Sequence, residues 1–210
     1  MIRFVYADEL NDYPKLAHSM FTDRTAQFRD RLGWPVNVND AGEERDEYDA
    51  ENPLYVIWQN TDHSHGGSMR LLPTMGRTMV NDHFLHLTDG VRVESPLIWE
   101  CTRFCLSRNA SAQTAAALML AGGEVMRQFG IKHYVGVFDA PMVRIYKQIG
   151  ANPTVLGSAG KGRDRTSVGL WEFTDTSQQI VSKRAGISPR LMTLWFERSF
   201  GTTQRFAATA

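Results

Sequence analysis

Cysteine is scarce in this chain: Cys101 and Cys105 are the only two. Four residues apart in one strand-like stretch, they are poorly placed to bond to each other. No further Cys or His stands around them at zinc-ligand spacing, so a disulfide framework and a zinc fold are both excluded. Long apolar runs are also missing. None approaches the roughly 20 residues needed to span a bilayer, and the opening MIRFVYADELNDY turns acidic too early for a secretory signal. A reducing cytoplasm and no membrane partner are expected. Net charge is absent too, with 23 Lys/Arg balanced by 23 Asp/Glu. That balance, and the lack of any helix-turn-helix pattern, argue against a nucleic-acid partner.

The balance hides an asymmetry. Residues 1–100 hold 9 Lys/Arg and 17 Asp/Glu, whereas residues 101–210 hold 14 and 6. A basic half suits an anionic partner, nucleic acid or an acidic protein, unless the halves interleave and the field cancels. With 42% hydrophobic and 22% charged residues, 210 residues make one soluble domain with a real core. No repeat or linker divides it.

The stretch SPLIWECTRFCLSR, residues 95–108, reads as a strand, yet Glu100 and Arg103 interrupt its apolar run. Burying unpaired charge is costly, so the two are either a structural ion pair or a carboxylate held in a pocket to manage a proton.

Around it the order is β–α–loop–β–β–(β)–β–α–β–α–β. A strand at IRFVYA precedes helical spacing from Leu10 to Leu32, which Pro14 breaks near its start. One turn apart, Arg24 and Phe28 place a cation and a ring on one face, or an exposed Arg over a core Phe. Gly33-Trp34-Pro35 ends the helix. An acidic loop with Asp46 and Asp49 follows, in which Trp34 and Tyr48 are the large rings. LYVIWQ and SMRLLP form a hairpin carrying Arg70, and the connector DHFLHL carries Phe84. His63, His65, His83 and His86 lack acidic partners at ligand spacing, so no metal is expected. Strand 97–106 is followed by a helix from Ser111 to about Phe129, stopped by Gly130. Next come a strand at 133–138, a helix at 141–148, a basic loop at 159–166 and a last strand at 167–173. The tail holds one amphipathic segment, 189–200. A helical crossover makes the strands at 97–106 and 133–138 parallel. This layout, an α/β three-layer sandwich with a mixed, splayed central sheet, is that of the Gcn5-related N-acetyltransferases, an analogy of fold only.

Nine residues carry a more specific likeness: Arg24, Phe28, Trp34, Asp46, Asp49, Arg70, Phe84, Glu100 and Arg103. Together with the strings R-x-x-x-F-x-x-x-L-G-W-x-V, E-R-D-E-Y-D, M-R-L-L-P-T and W-E-C-T-R-F, their order and spacing resemble the acyl-homoserine-lactone synthases of bacterial quorum sensing, the LuxI type. The likeness covers about residues 1–175, taken as the synthase domain. Residues 176–210 are read as a helical extension and tail of the same domain.

The resemblance implies acyl transfer from acyl carrier protein, or acyl-CoA, to the amine of S-adenosylmethionine. Lactonisation and release of 5′-methylthioadenosine follow. S-adenosylmethionine is a substrate, and no cofactor is implied. Its amine arrives protonated and needs a base, for which Glu100 is the candidate, with Arg103 beside it favouring the charged form. Backbone N–H groups of the splayed strands would stabilise the thioester oxyanion. Aromatic faces suit a sulfonium and adenine, so Phe28, Trp34 and Phe84, with Arg24 and Arg103, are expected to bind S-adenosylmethionine. Arg70, Asp46 and Asp49 join them in an ion-pair cluster fixing the acidic loop. Acetyl-CoA-using relatives cradle pyrophosphate with a glycine-rich loop after the central strand. Here that place reads SRNASAQT, without glycine, which favours a carrier protein. Carrier proteins are acidic, and Arg144, Lys147, Lys161, Arg163 and Arg165 are the expected dock. Met119, Met126, Val137 and Phe138 are expected to line the acyl pocket, each equally readable as core packing. Gly136-Val137-Phe138 lacks the threonine of members that select 3-oxo chains, favouring an unsubstituted or 3-hydroxy chain. Two rivals stand: an N-acyltransferase of the same fold with another amine acceptor, and a non-enzymatic regulator binding an anionic partner.

Overall fold

The computed structural model describes residues 1–201, so the end of the expected tail, 202–210, lies outside the described residues. Seven strands form one sheet in the order β1-β2-β3-β4-β5-β7-β6. They are β1 (Ile2–Tyr6), β2 (Leu54–Gln59), β3 (His65–Pro73), β4 (Ile98–Leu106), β5 (His133–Asp139), β6 (Thr154–Ala159) and β7 (Thr166–Trp171). All neighbours are antiparallel except β4 and β5, which the crossover helix α3 (Ala112–Phe129) makes parallel.

Alternation along the strands feeds both faces. Ile2, Phe4, Leu54, Val56, Met69 and Leu71 point toward α3, whose buried face runs through Leu118, Ala121 and Val125. On that side α5 (Asp175–Ala185) and α6 (Pro189–Phe200) pack against α3, with Val181, Met192 and Phe196 buried. On the other face, Leu16, Met20 and Phe21 of α1 (Pro14–Arg24) cover Val5, Tyr55 and Ile57, and α2 (Met79–His83) covers Val135 and Val168. The α/β three-layer sandwich is therefore present, with a mixed sheet at its centre.

The splay of that sheet has a definite start. β4 and β5 pair only at Ile98↔His133, Trp99↔Tyr134 and Glu100↔Val135. β5 then continues with β7 as far as Asp139↔Thr166. The two strands part directly after Glu100.

Several expected boundaries shift. The single helix Leu10–Leu32 is a 3-10 turn at Ala7–Asp12, α1 with Pro14 in its first turn, and a π-helical turn at Thr25–Arg31. The bracketed strand is not found among the described residues; the connector is helical at Met79–His83 and Leu85–Leu87. The hairpin strand β3 starts at His65, inside the expected turn. β6 has no counterpart in the expected order, and α5 lies almost wholly within the expected helical extension but outside its amphipathic segment 189–200. β6 is an edge strand, TVLGSA, mostly solvated, and so lacks an apolar alternation to betray it. α5 has a weakly amphipathic, largely polar sequence stapled by the Thr174 cap.

Candidate active site

A backbone irregularity in β4 assembles the site. Between Ser68↔Cys105 and Arg70↔Thr102, β3 advances two residues and β4 three. The extra residue falls at Arg103, which takes φ +50°, a conformation uncommon for a side-chain-bearing residue. In a regular strand, Thr102 and Arg103 would point to opposite faces. The bulge turns both to the face covered by α1, where Thr102 Oγ1 accepts from Arg70 Nε at 3.0 Å and Arg103 reaches the acidic loop.

There, three arginines meet three carboxylates. Arg24 and Arg70 are fully buried, 1% and 0% exposed. Arg24 Nε donates to Glu44 at 2.5 Å, and its two Nη atoms grip Asp49 at 3.0 and 3.1 Å. Arg70 binds Asp46 through both Nη atoms and donates to Asp49 at 2.7 Å. Arg103 Nη2 lies 3.0 Å from Glu44 and 2.8 Å from Asp46. Tyr55 donates its hydroxyl to Asp49 at 2.5 Å. Burial alone would raise the Asp49 pKa, but Arg24 and Arg70 outweigh it and hold the group well below the carboxylate range. Asp46 is lowered likewise, chiefly by its bonds to Arg70. With three charges of each sign and nearly every donor matched, the cluster is neutral as a unit, which is what makes its burial tolerable. The acidic loop is thus tied down. Val38 bridges Glu44, Asp46 caps a 3-10 turn at Glu47–Ala50, and Tyr48 is buried with its hydroxyl donating to Asp82 at 3.0 Å.

Glu100 is not a partner of Arg103, contrary to the ion-pair reading. The Arg103 guanidinium is engaged by Glu44 and Asp46. Glu100, 1% exposed, accepts from the backbone N–H groups of Met79 at 3.0 Å and Val80 at 2.6 Å. Burial pushes its pKa up to about 7; the two N–H bonds and the charge of Arg70 oppose that push without cancelling it. A carboxyl that exchanges a proton near neutrality stands at the point where β4 and β5 part.

Phe28 and Trp34 stack, ring centroids 5.2 Å apart and 8° between planes, with the Arg103 guanidinium 5.4 Å from the Phe28 ring. Trp34 is 41% exposed. The π-helical turn and Gly33 at φ +67° fold the chain back so that the Trp34 N–H reaches the Phe28 carbonyl at 2.8 Å. Phe84 does not join this stack. It packs against the cluster of Val80, Leu87, Val135 and Val168 on the α2 side of Glu100. Arg24 is not an exposed cation over Phe28; it is sealed in the cluster, with its guanidinium 5.0 Å from the Phe21 ring.

The four expected acyl-pocket residues do not share one wall. Met119 and Met126 face the α3 core, and Phe138 packs on Tyr146 and Trp171. Val137 points to the opposite face of the sheet, toward Val80 and Val168, because neighbours on a strand alternate. Met126 borders a cavity of about 480 Å³ with Ile131 and Phe173. A cleft of about 710 Å³ runs instead between the π-helical turn, the outer half of β4 and α4 (Ala140–Ile149), walled by Gln27, Phe104, Leu106, Met142 and Ile145. The basic residues do gather. Arg144 and Lys147 are exposed on α4, and Lys161, Arg163 and Arg165 on the adjoining loop, where Arg165 O accepts from the Ala140 N–H at 3.0 Å.

The sequence profile of the family described as autoinducer synthase matches residues 9–184. The chain belongs to that family. An acyl-homoserine-lactone synthase from Rhizobium etli is 41% identical over 181 residues, 83% of this chain and 85% of the relative. The structure of BjaI, a CoA-dependent acyl-homoserine lactone synthase with SAM and isopentyl-CoA, superposes with a TM-score of 0.77 at 24% identity, over 89% of this chain and 90% of that one. A protein from Lactobacillus plantarum assigned as an N-acetyltransferase has a TM-score of 0.53 at 13% identity, covering 82% and 99%, which makes the fold GNAT-like. This synthase is accordingly an acyltransferase that makes a quorum-sensing signal.

Sequence reasoning missed Glu44, Tyr55, Thr102 and the α2 N–H groups. Glu44 opens the quoted string E-R-D-E-Y-D, but among so many neighbouring acids nothing in the string sets it apart. Its burial, 0% exposed beside the partly exposed Glu43, is what distinguishes it. Among the described residues no cluster of His, Cys, Asp and Glu could hold a metal, and no helix is long and apolar enough to cross a membrane.

Proposed function

We propose that the synthase transfers an acyl group from acyl carrier protein to the amine of S-adenosylmethionine at Glu100, without a cofactor, in the cytoplasm. The observation that carries this reading is Glu100 itself: a buried carboxyl with a pKa of about 7 where the central strands part. Glu100 takes the ammonium proton, directly or through water. The freed lone pair attacks the thioester carbonyl, the C–S bond breaks, and the thiol leaves protonated. The methionyl carboxylate then attacks its own γ-carbon, expelling the neutral thioether 5′-methylthioadenosine.

The exposed Trp34 face, backed by Phe28 and Arg103, is the wall for the sulfonium and adenine. Glu44, Asp46 and Asp49 hold Arg103 and the loop in place for it. The cleft along β4 admits the thioester arm, and the basic face beside α4 docks the acidic carrier. Phe84, on the α2 side of Glu100, closes the pocket there. An acyl-CoA donor is the second reading, favoured by the likeness to BjaI, which is named as CoA-dependent. Mass spectrometry of ethyl-acetate extracts from expressing cells tests the product: a homoserine-lactone fragment with a defined acyl mass supports the reading. An acylated amine of another kind, with no methylthioadenosine released, refutes it.

A further inference from the structure

Thr78 is 0% exposed, and its Oγ1 is the sole buried side-chain polar atom among the described residues with no hydrogen-bond partner in the protein. Its neighbour in the same loop shows the usual outcome. Thr74, also 0% exposed, donates to Ile98 O at 2.8 Å and accepts from Ser95 N at 3.1 Å. Thr78 precedes the first residue of α2, where a threonine hydroxyl ordinarily accepts from the second or third backbone N–H of the helix. That bond is not made. The Val80 N–H, which such a cap would serve, is taken at 2.6 Å by Glu100 Oε1, and the Met79 N–H at 3.0 Å by Glu100 Oε2. A carboxylate from β4 has displaced the threonine from its cap.

An unpaired buried hydroxyl works against folding, and replacing it with a methyl group of the same shape is neutral or stabilising. No protein group among the described residues accounts for this hydroxyl, which sits one residue from the Met79 N–H and two from the Val80 N–H, the groups that hold the proton-exchanging carboxyl. We propose that Thr78 is a positioning residue of the acyl transfer: its Oγ1 accepts a hydrogen bond from the water that carries the ammonium proton to Glu100, orienting that water between amine and carboxylate. This rests on the role given above to Glu100.

The test compares wild type, Thr78→Val and Thr78→Ser for thermal stability and for steady-state kinetics, following methylthioadenosine release. Thr78→Val is expected to melt at or above the wild-type temperature and to lose about tenfold in kcat, one hydrogen bond's worth, with KM for S-adenosylmethionine unchanged. Thr78→Ser is expected to restore most of the rate. A Thr78→Val protein with wild-type kcat overturns the proposal, as does one whose melting temperature and kcat fall together while Thr78→Ser rescues neither. If wild type itself releases no methylthioadenosine with acyl carrier protein or acyl-CoA donors, the synthase reading fails first, and the proposal with it.

Discussion

Arg103 and Glu44, 59 residues apart in the chain, meet at 3.1 Å through Nε and 3.0 Å through Nη2. The contact exists because a bulge in β4 turns Arg103 to the same face as Thr102, and because Glu44 is sewn between α1 and the sheet by its N–H bond to Phe21 O. Glu44 also binds Arg24, so one carboxylate joins the helix end to the bulged strand.

Substituting Glu44 by Gln leaves two guanidiniums short of a buried counter-charge. The expected cost is about 3–5 kcal/mol, the penalty for breaking one side of a buried pair, seen as a lower urea midpoint with unchanged slope. Glu43→Gln, which disturbs contacts to the exposed Arg45, His18 and Asn39, is expected to cost less than about 1 kcal/mol. Equal midpoints for the two variants would contradict the cluster's structural role.

Glu100→Gln keeps the volume and one of the two backbone bonds, since the amide oxygen can accept from only the N–H at its position, so the fold is expected to survive at a cost of about one hydrogen bond while turnover falls at least about 100-fold. The pH dependence has a definite sign. Glu100 has a pKa of about 7 in the fold against 4.5 ordinarily, so between those values the folded chain retains a proton that the unfolded chain loses. Its contribution to stability therefore declines as pH rises from about 4.5 to 7. Melting curves should show wild type losing ground to Glu100→Gln across that window, and wild-type kcat should climb through pH 7. A flat difference in melting temperature would contradict the burial argument. The depressed Asp46 and Asp49 act oppositely, their stabilisation vanishing as pH falls below the ordinary carboxylate range.

Trp34→Ala removes a ring that is 41% exposed and, among the described residues, stacked only on Phe28, so little core is lost. KM for S-adenosylmethionine is expected to rise about fivefold or more, a cation–π contact of about 1 kcal/mol or above. The KM for the acyl donor should hold. Equal increases in both would remove Trp34 from the S-adenosylmethionine wall.

Reversing Lys161, Arg163 and Arg165 to Glu is expected to raise KM for acyl carrier protein and to weaken its salt dependence, leaving KM for S-adenosylmethionine and for free acyl-CoA unchanged. No change with carrier protein would place the dock elsewhere.

The sheet was legible because its inner strands carry apolar alternation and its parallel pair is dictated by the α3 crossover. β6 was not, since an edge strand solvated along most of its length has no such pattern. In the site, Arg24, Arg70, Asp46 and Asp49 were readable as a set, but their partners were not. The spacing of Glu100 and Arg103 suggests a pair, and only the +50° φ at Arg103, a backbone feature that side-chain spacing does not encode, sends them to different partners. Val137 and Phe138, expected in one pocket, face apart because neighbours on a strand alternate. Glu44 was hidden by the density of acids around it.

The most direct measurement incubates purified protein with S-adenosylmethionine and a panel of acyl carrier proteins and acyl-CoAs, and quantifies N-acyl-homoserine lactone and 5′-methylthioadenosine by mass spectrometry. The account predicts the two products in equal amounts, formed fastest from a carrier-linked, unsubstituted or 3-hydroxy chain. An acylated S-adenosylmethionine that accumulates without lactone, or an acylated acceptor of another kind with no methylthioadenosine, would contradict it.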